Sequence, residues 1–388
     1  MTEQGPSAVP ERSVTKDSGA ADAPAVVLAG GGTAGHVSPM LAIAEAIRRL
    51  APQARQSMIG TQSGLETRLV PAAGYDLETI EKVPFPRRPT RDLFAFPRRF
   101  RAAIDDAAAI LQARRADVVV GVGGYVCPPV FLAAKRLSIP VVLHEANARP
   151  GMANKLGSRF AAFTGVAFEG TPLKNAEWVG MPMARTISQL DRRAEQAAAR
   201  EALGLDPELT TLVVTGGSSG ALNLNNAVAS ALEDILATGV QVLHLTGRDK
   251  AVTDRHGTPL TAERYHQREY LDGMHLAYAA ADLIVARSGA ATVSEVAAVG
   301  LPAVFVPLPV GNGEQELNAR GLVDAGGALL VKDEHFTRAW IRRNIVPLLE
   351  DPRLLLTMEK QSAERGISDA DERMARAALR AAGYEVQR

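Results

Sequence analysis

The chain has 388 residues, 46% of them hydrophobic and 22% charged, with 43 basic side chains balancing 43 acidic ones. That length allows two domains with separate cores, and zero net charge gives no general affinity for nucleic acid, so electrostatic partners must be sought in local clusters. The single cysteine, Cys127, excludes a disulfide framework and points to a reducing compartment, and no apolar run approaches the roughly 20 residues needed to span a bilayer.

Residues 1–24 mix proline, serine, alanine and charge without periodicity and lack the apolar core of a signal peptide, which predicts a disordered tail. From there β-rich runs alternate with helical patterns. "AVVLAG" (25–30), "ARQSMIG" (54–60), "ADVVVGVG" (116–123) and "IPVVLHE" (139–145) read as buried strands, and "HVSPMLAIAEAIRRL" (36–50) sets Val37, Leu41, Ala44 and Ile47 on one helical face. This rhythm predicts right-handed βαβ units and a parallel sheet covered on both sides. It then restarts. "TLVVTGGSSGALNLNNAVASAL" (211–232) repeats strand, glycine turn and helix, with Gly216-Gly217-Ser218-Ser219-Gly220 matching Gly31-Gly32-Thr33-Ala34-Gly35. "ADLIVARSGAATVSEVAAVGLPAVFV" (281–306) likewise resembles "ADVVVGVGGYVCPPVFLAAKRLSIPVV" (116–142). The duplication predicts an α/β protein of two Rossmann-like domains, over 25–185 and 186–365. A C-terminal helix over 366–388, with Ser368 or Asp369 as N-cap, could pack back across the junction.

The turn "LAGGGTAGHV" (28–37) satisfies G-x-G-x-x-G through Gly30, Gly32 and Gly35. A nicotinamide dinucleotide needs an acid at the end of the next strand to hold its ribose. That strand ends Ile59-Gly60-Thr61, and Glu66 lies past a further loop, which argues against NAD. His36 falls on the first helical turn, beside N–H groups that face an anion or a polar substrate, and is a candidate general base. The second turn also reads as G-x-S-x-G, a hydrolase nucleophile elbow with Ser218 as nucleophile. A hydroxyl residue in the same place of both turns, Thr33 and Ser218, points instead to phosphate binding.

In "ARSGAATVSEVAAVGLP" (286–302) a strand turns at Ser288-Gly289 into a helix whose first turn holds Thr292 and Ser294, where free N–H groups attract a diphosphate. Glu295 can accept both hydroxyls of a ribose; equally, Thr292 to Glu295 is a T-x-x-E capping box. Asn312, Glu314, Gln315 and Asn318 in "VPLPVGNGEQELNARGL" (306–322) suit a sugar ring or a solvated loop. "VPFPRRPTRDLFAFPRRFRAA" (83–103) carries Arg87, Arg88, Arg91, Arg98, Arg99 and Arg101 against Asp92, with Phe85, Leu93, Phe94, Phe96 and Phe100 between them. Such interleaving fits an anionic bilayer surface, or a solvated helix with its aromatics in the core. No His or Cys spacing reads as a metal site, and Asp369-Ala370-Asp371 opens a helix rather than following a strand.

Taken in order, "GGTAGH", "GGYV", "HEAN", "GGSSGA", "RSGAATVSE" and "EQELNA" resemble the MurG family of glycosyltransferases over about residues 25–380. The resemblance implies the GT-B architecture, two Rossmann-like domains facing each other across a cleft. It also implies inverting transfer of GlcNAc from UDP-GlcNAc to the 4-hydroxyl of undecaprenyl-diphospho-MurNAc-pentapeptide, in peptidoglycan synthesis at the cytoplasmic membrane face. By position, Thr33, Ala34 and Gly35 line the cleft with His36. Asn147 and Arg185 assist donor binding, Ser218 touches the diphosphate, and Leu271 contacts the uracil by backbone. Ala290, Ala291, Thr292, Val293, Ser294 and Glu295 hold diphosphate and ribose, and Gln315 reads the GlcNAc hydroxyls. Phe94, Phe96, Arg98, Arg99 and Phe100 become the membrane contact. No cofactor, metal or nucleic acid is implied. The chain departs from the family where Met181 replaces an asparagine and one residue is added before Arg185. A UDP-GlcNAc 2-epimerase of the same architecture, or a serine hydrolase using Ser218, are the rival readings.

Overall fold

A computed structural model describes residues 23–86, 92–217, 220–254 and 256–386. Tail residues 1–22, the arginines Arg87, Arg88 and Arg91, and both Ser218 and Ser219 lie outside the described residues.

Two parallel sheets are built. The first contains β1 (Ala25–Ala29), β2 (Arg55–Thr61), β3 (Asp76–Ile80), β4 (Val118–Gly121), β5 (Val141–Glu145), β6 (Phe163–Val166) and β7 (Ala176–Trp178), in the order 3-2-1-4-5-6-7. The second contains β8 (Thr211–Thr215), β9 (Gln241–Leu245), β10 (Tyr265–Arg268), β11 (Leu283–Ala286), β12 (Ala303–Phe305) and β13 (Ala328–Leu330), in the order 10-9-8-11-12-13. Helices cover both faces, so the central strands are apolar throughout and their alternate residues feed different cores. Val26 and Leu28 of β1 pack with Met40, Ile43 and Ile47 of the helix Ala34–Leu50. Val27 and Ala29 pack on the opposite face with Leu111, Val130 and Phe131. The second sheet divides the same way, Leu212 and Val214 on one face and Val213 on the other.

The strand order places β1 beside β4 and β8 beside β11, and the connections leave in opposite directions at each of these pairs. In open α/β sheets the crevice at the carboxyl ends of such strands is where ligands bind. The two segments that repeat in the sequence are these switch-point strands with their turns. The internal duplication is therefore a duplication of the crevice.

Two features join the halves. The helix Ala370–Ala381 crosses back onto the first sheet's core, where Met374, Ala375, Ala378 and Leu379 are buried and Asp371 pairs with Arg49 at 2.8 Å. Asp369 is its N-cap residue but makes no side-chain cap bond; its carboxylate pairs with Arg373 one turn on at 2.9 Å. Met181 and Met183 are buried with Ala146 and Ala167 against Ala290 and Ala298 of the second domain, an apolar seam at the junction. Both methionines thus serve packing at this seam.

Candidate active site

On the N-terminal side, β1 runs into Gly30–Thr33 and then the helix Ala34–Leu50. Gly32 takes φ +90, a conformation that glycine adopts without strain. Thr33 is the N-cap residue, yet its hydroxyl makes no cap bond and lies 3.3 Å from His36 Nδ1. The same Nδ1 is 3.2 Å from the Gly31 carbonyl. A carbonyl only accepts, so this bond puts the proton on Nδ1 and leaves Nε2 as the basic nitrogen. Burial holds the imidazole below its ordinary pKa, and the Gly31 carbonyl, Glu145 and Glu66 offset this only in part. His36 is therefore neutral near pH 7, the state a general base requires.

The loop after β4 closes over this turn. Gly123 and Gly124 take φ +104 and +92; a Cβ on Gly123 would sit 3.0 Å from His36 Nε2, and one on Gly124 2.7 Å from the Gly31 carbonyl oxygen. At the end of β5, Glu145 shapes the next loop. Its carboxylate accepts from the backbone N–H of Asn147 and of Gly151, each at 2.9 Å, and from Asn154 Nδ2 at 3.0 Å. This holds Asn147 at the domain boundary.

On the C-terminal side, Gly289 is the N-cap of the helix Ala290–Ala298, and Thr292 is its third helical residue. The capping-box alternative does not hold: the N-cap has no side-chain cap bond, and Glu295 is engaged elsewhere. Its carboxylate accepts the phenol proton of buried Tyr278 at 2.7 Å, and burial pushes its pKa up to about 7 despite that bond. One carboxylate oxygen is thus committed to Tyr278, while the first-turn N–H groups of the helix remain free for an anion.

Contacts across the cleft involve the loop after β5. Asn318 is buried; its Oδ1 accepts from the Ala148 N–H at 2.9 Å and its Nδ2 donates to Asn147 Oδ1 at 3.3 Å. Arg149 donates to the Asn312 carbonyl. Asn318 is thus a strut between domains rather than a sugar reader, which its polar neighbours in sequence do not reveal. Gln315 stays partly exposed, with Oε1 accepting from the Leu308 N–H at 2.9 Å. Leu271 lies partly buried in the turn between β10 and the helix Met274–Ala280. Arg185 is exposed and bonded to Gln189 at 2.7 Å, pointing its guanidinium along its own short helix. A cavity of about 490 Å³ lies between the domains, with Ala148, Ala167 and Trp178 on one wall and Ser294, Ala297 and Asn318 on the other.

The helix Asp92–Ala113 carries the basic aromatic stretch. Phe94 is 88% exposed, while Phe96 packs between Phe85 and Phe100, with ring centroids 5.3 Å away on each side. Arg98 is exposed, and Arg99 pairs with Glu81 at 2.7 Å. Among the described residues, no helix is long and apolar enough to cross a membrane.

Two Rossmann-like domains, each opening its sheet at a switch point, form the GT-B architecture of glycosyltransferases. Residues 26–166 match the glycosyltransferase family 28 N-terminal domain, and residues 211–374 match its C-terminal domain. A relative from Paenarthrobacter aurescens, named UDP-N-acetylglucosamine–N-acetylmuramyl-(pentapeptide) pyrophosphoryl-undecaprenol N-acetylglucosamine transferase, is 58% identical over 95% of this chain and 99% of its own. The crystal structure of Acinetobacter baumannii MurG superposes with a TM-score of 0.75 at 28% identity, covering 92% of this chain and 99% of that one. A UDP-GlcNAc 2-epimerase from Neisseria meningitidis, bound to UDP-GlcNAc, superposes at TM-score 0.67 over 92% of this chain and all of its own, but at 14% identity shares the fold alone. The chain belongs to the MurG family of glycosyltransferases.

Proposed function

We propose that this protein transfers GlcNAc from UDP-GlcNAc to the 4-hydroxyl of undecaprenyl-diphospho-MurNAc-pentapeptide with inversion, a step of peptidoglycan synthesis on which cell shape and division depend. The observation that carries this reading is near-complete, 58% identical coverage of a relative bearing that activity's name. The site supports the chemistry. His36 Nε2 takes the proton of the acceptor hydroxyl as that oxygen attacks the anomeric carbon and the bond to the UDP oxygen breaks. The N-terminus of the helix Ala290–Ala298 stabilises the charge that collects on the departing diphosphate. Glu295 orients the ribose with the carboxylate oxygen that Tyr278 leaves free. Thr33, Ala34 and Gly35 line the acceptor side. Asn147, Arg185, Leu271 and Gln315 complete the donor side with Ser218, which lies outside the described residues.

Release of UDP from UDP-GlcNAc is expected only when a lipid-diphospho-MurNAc acceptor is present. Acceptor-independent release of UDP, with appearance of a 2-epimerised sugar, would instead favour the epimerase reading, and labelling of Ser218 by a fluorophosphonate the hydrolase.

The acceptor is lipid-linked, so the protein works at the cytoplasmic face of the membrane, held peripherally. Exposed Phe94 beside Arg98 supports the helix Asp92–Ala113 as the contact, with Phe96 and Phe100 backing Phe94 and Arg99 supplying further charge. Each basic residue near an anionic surface contributes about 1 kcal/mol, so replacing Phe94, Arg98 and Arg99 by alanine should weaken binding to anionic vesicles by about 10- to 100-fold. Neutral vesicles should show little binding by either form; equal binding of wild type and variant to anionic ones would rule this surface out.

A further inference from the structure

Glu66 takes no part in the chemistry described above, yet its carboxylate is fully buried at the start of the helix Glu66–Ala72. Oε1 accepts from the N–H of Thr61 at 2.9 Å and from its hydroxyl at 2.8 Å, and Oε2 accepts from the Gly32 N–H at 2.8 Å. Burial pushes the Glu66 carboxyl up, but these bonds outweigh burial and hold it below the usual carboxylate range. It is therefore ionised at neutral pH. Three glycines make room for it: a Cβ on Gly31, Gly60 or Gly64 would lie 2.3, 2.5 or 1.9 Å from its side-chain atoms.

The Gly31 carbonyl and the Gly32 N–H belong to one planar peptide group. Glu66 binds the N–H end of that plane, and His36 Nδ1 sits 3.2 Å from the carbonyl end. We propose that Glu66 is a positioning residue for His36, acting through the Gly31–Gly32 peptide. The carboxylate orients and polarises the peptide, the carbonyl keeps the proton on Nδ1, and Nε2 is left as the basic nitrogen. A carboxylate bonded directly to Nδ1 serves the same end in the serine-protease triad. Here the inserted peptide fixes the tautomer while keeping the full negative charge one group away. The charged groups that face His36 are Glu66 and, from the end of β5, Glu145. Cys127, which accepts from the Gly123 N–H, stays neutral because burial pushes its thiol up to about 12.

This inference rests on His36 being the base, and the test separates the two. Histidine nitrogen-15 shifts and the pH dependence of kcat are measured for wild type, Glu66→Gln, Thr61→Val and His36→Gln. Glu66→Gln is expected to lose about 10- to 100-fold in kcat, as partners of oriented histidines do, with donor KM little changed. Its His36 should show mixed tautomers, and the acidic limb of its profile should move to lower pH because a nearby negative charge is gone. Thr61→Val keeps the charge but removes one bond to Glu66, and should shift the tautomer and kcat in the same direction by less. It also supplies the answer if Glu66→Gln does not fold: an unchanged tautomer and kcat in Thr61→Val then overturns the proposal. A folded Glu66→Gln with the wild-type tautomer and limb overturns it as well, provided the limb vanishes in His36→Gln. If the limb survives in His36→Gln, it is the base reading that fails.

Discussion

His36→Ala is expected to lower kcat by about 10²- to 10⁴-fold, the range that loss of a positioned general base costs, while the KM for UDP-GlcNAc changes little. The split follows from where the ring sits. His36 belongs to the first turn of the N-terminal domain's leading helix, bonded to Gly31 and beside Thr33, on the side proposed for the acceptor. Its loss removes a proton acceptor rather than a donor contact, so steady-state kinetics at saturating acceptor should show the damage in kcat alone. In the wild type the acidic limb of kcat should lie below the ordinary histidine value of about 6.5, because burial lowers the His36 pKa. Activity falls as pH drops through that lowered value and the imidazole takes up a proton. A raised donor KM with kcat intact would remove His36 from the chemistry.

Glu295→Gln should act on the other substrate and in the other constant. A hydrogen bond to a charged group contributes about 1.5–3 kcal/mol, so loss of the carboxylate should raise the Kd for UDP about 10- to 100-fold by calorimetry. The pH dependence sharpens the prediction. Burial pushes the Glu295 pKa up to about 7, so the ionised form that accepts ribose hydroxyls dominates only above that pH. UDP affinity should therefore be level above pH 7 and weaken as pH falls through it. Tyr278→Phe removes the bond that stabilises the carboxylate, which raises the pKa further and moves the onset of weakening to higher pH. UDP binding that ignores pH, together with wild-type affinity in Glu295→Gln, would take Glu295 out of the ribose site.

These two residues also mark how far the sequence can be read. His36 is legible because it stands in a helix's first turn directly after a glycine turn, so its neighbours are local. Glu295 is half legible: T-x-x-E describes a capping box as well as a ribose clamp. The capping box is excluded because the helix begins after Gly289 and Tyr278, 17 residues earlier on another helix, takes the Glu295 carboxylate. Glu66 is legible only as an acid too far along to hold a dinucleotide's ribose. Its partner is not legible, because the chain after β2 folds its carboxylate back onto the Gly32 N–H. A hint lay in Gly60 and Gly64 on either side of it, since glycines cluster where a neighbouring side chain needs their space. Asn318 gives no such hint, because its partners Asn147 and Ala148 lie about 170 residues away in the other domain.

Periodicity and turn chemistry are local, and they sufficed to determine the alternating strands and helices, the duplication and the two glycine turns. Pairings that depend on which segments meet were decided only in the tertiary structure: Glu66 on the Gly31–Gly32 peptide, Tyr278 on Glu295 and Asn318 across the cleft. The physical reason is that a buried polar group must find its partner wherever the packed chain supplies one, and that choice leaves no periodic trace in the sequence.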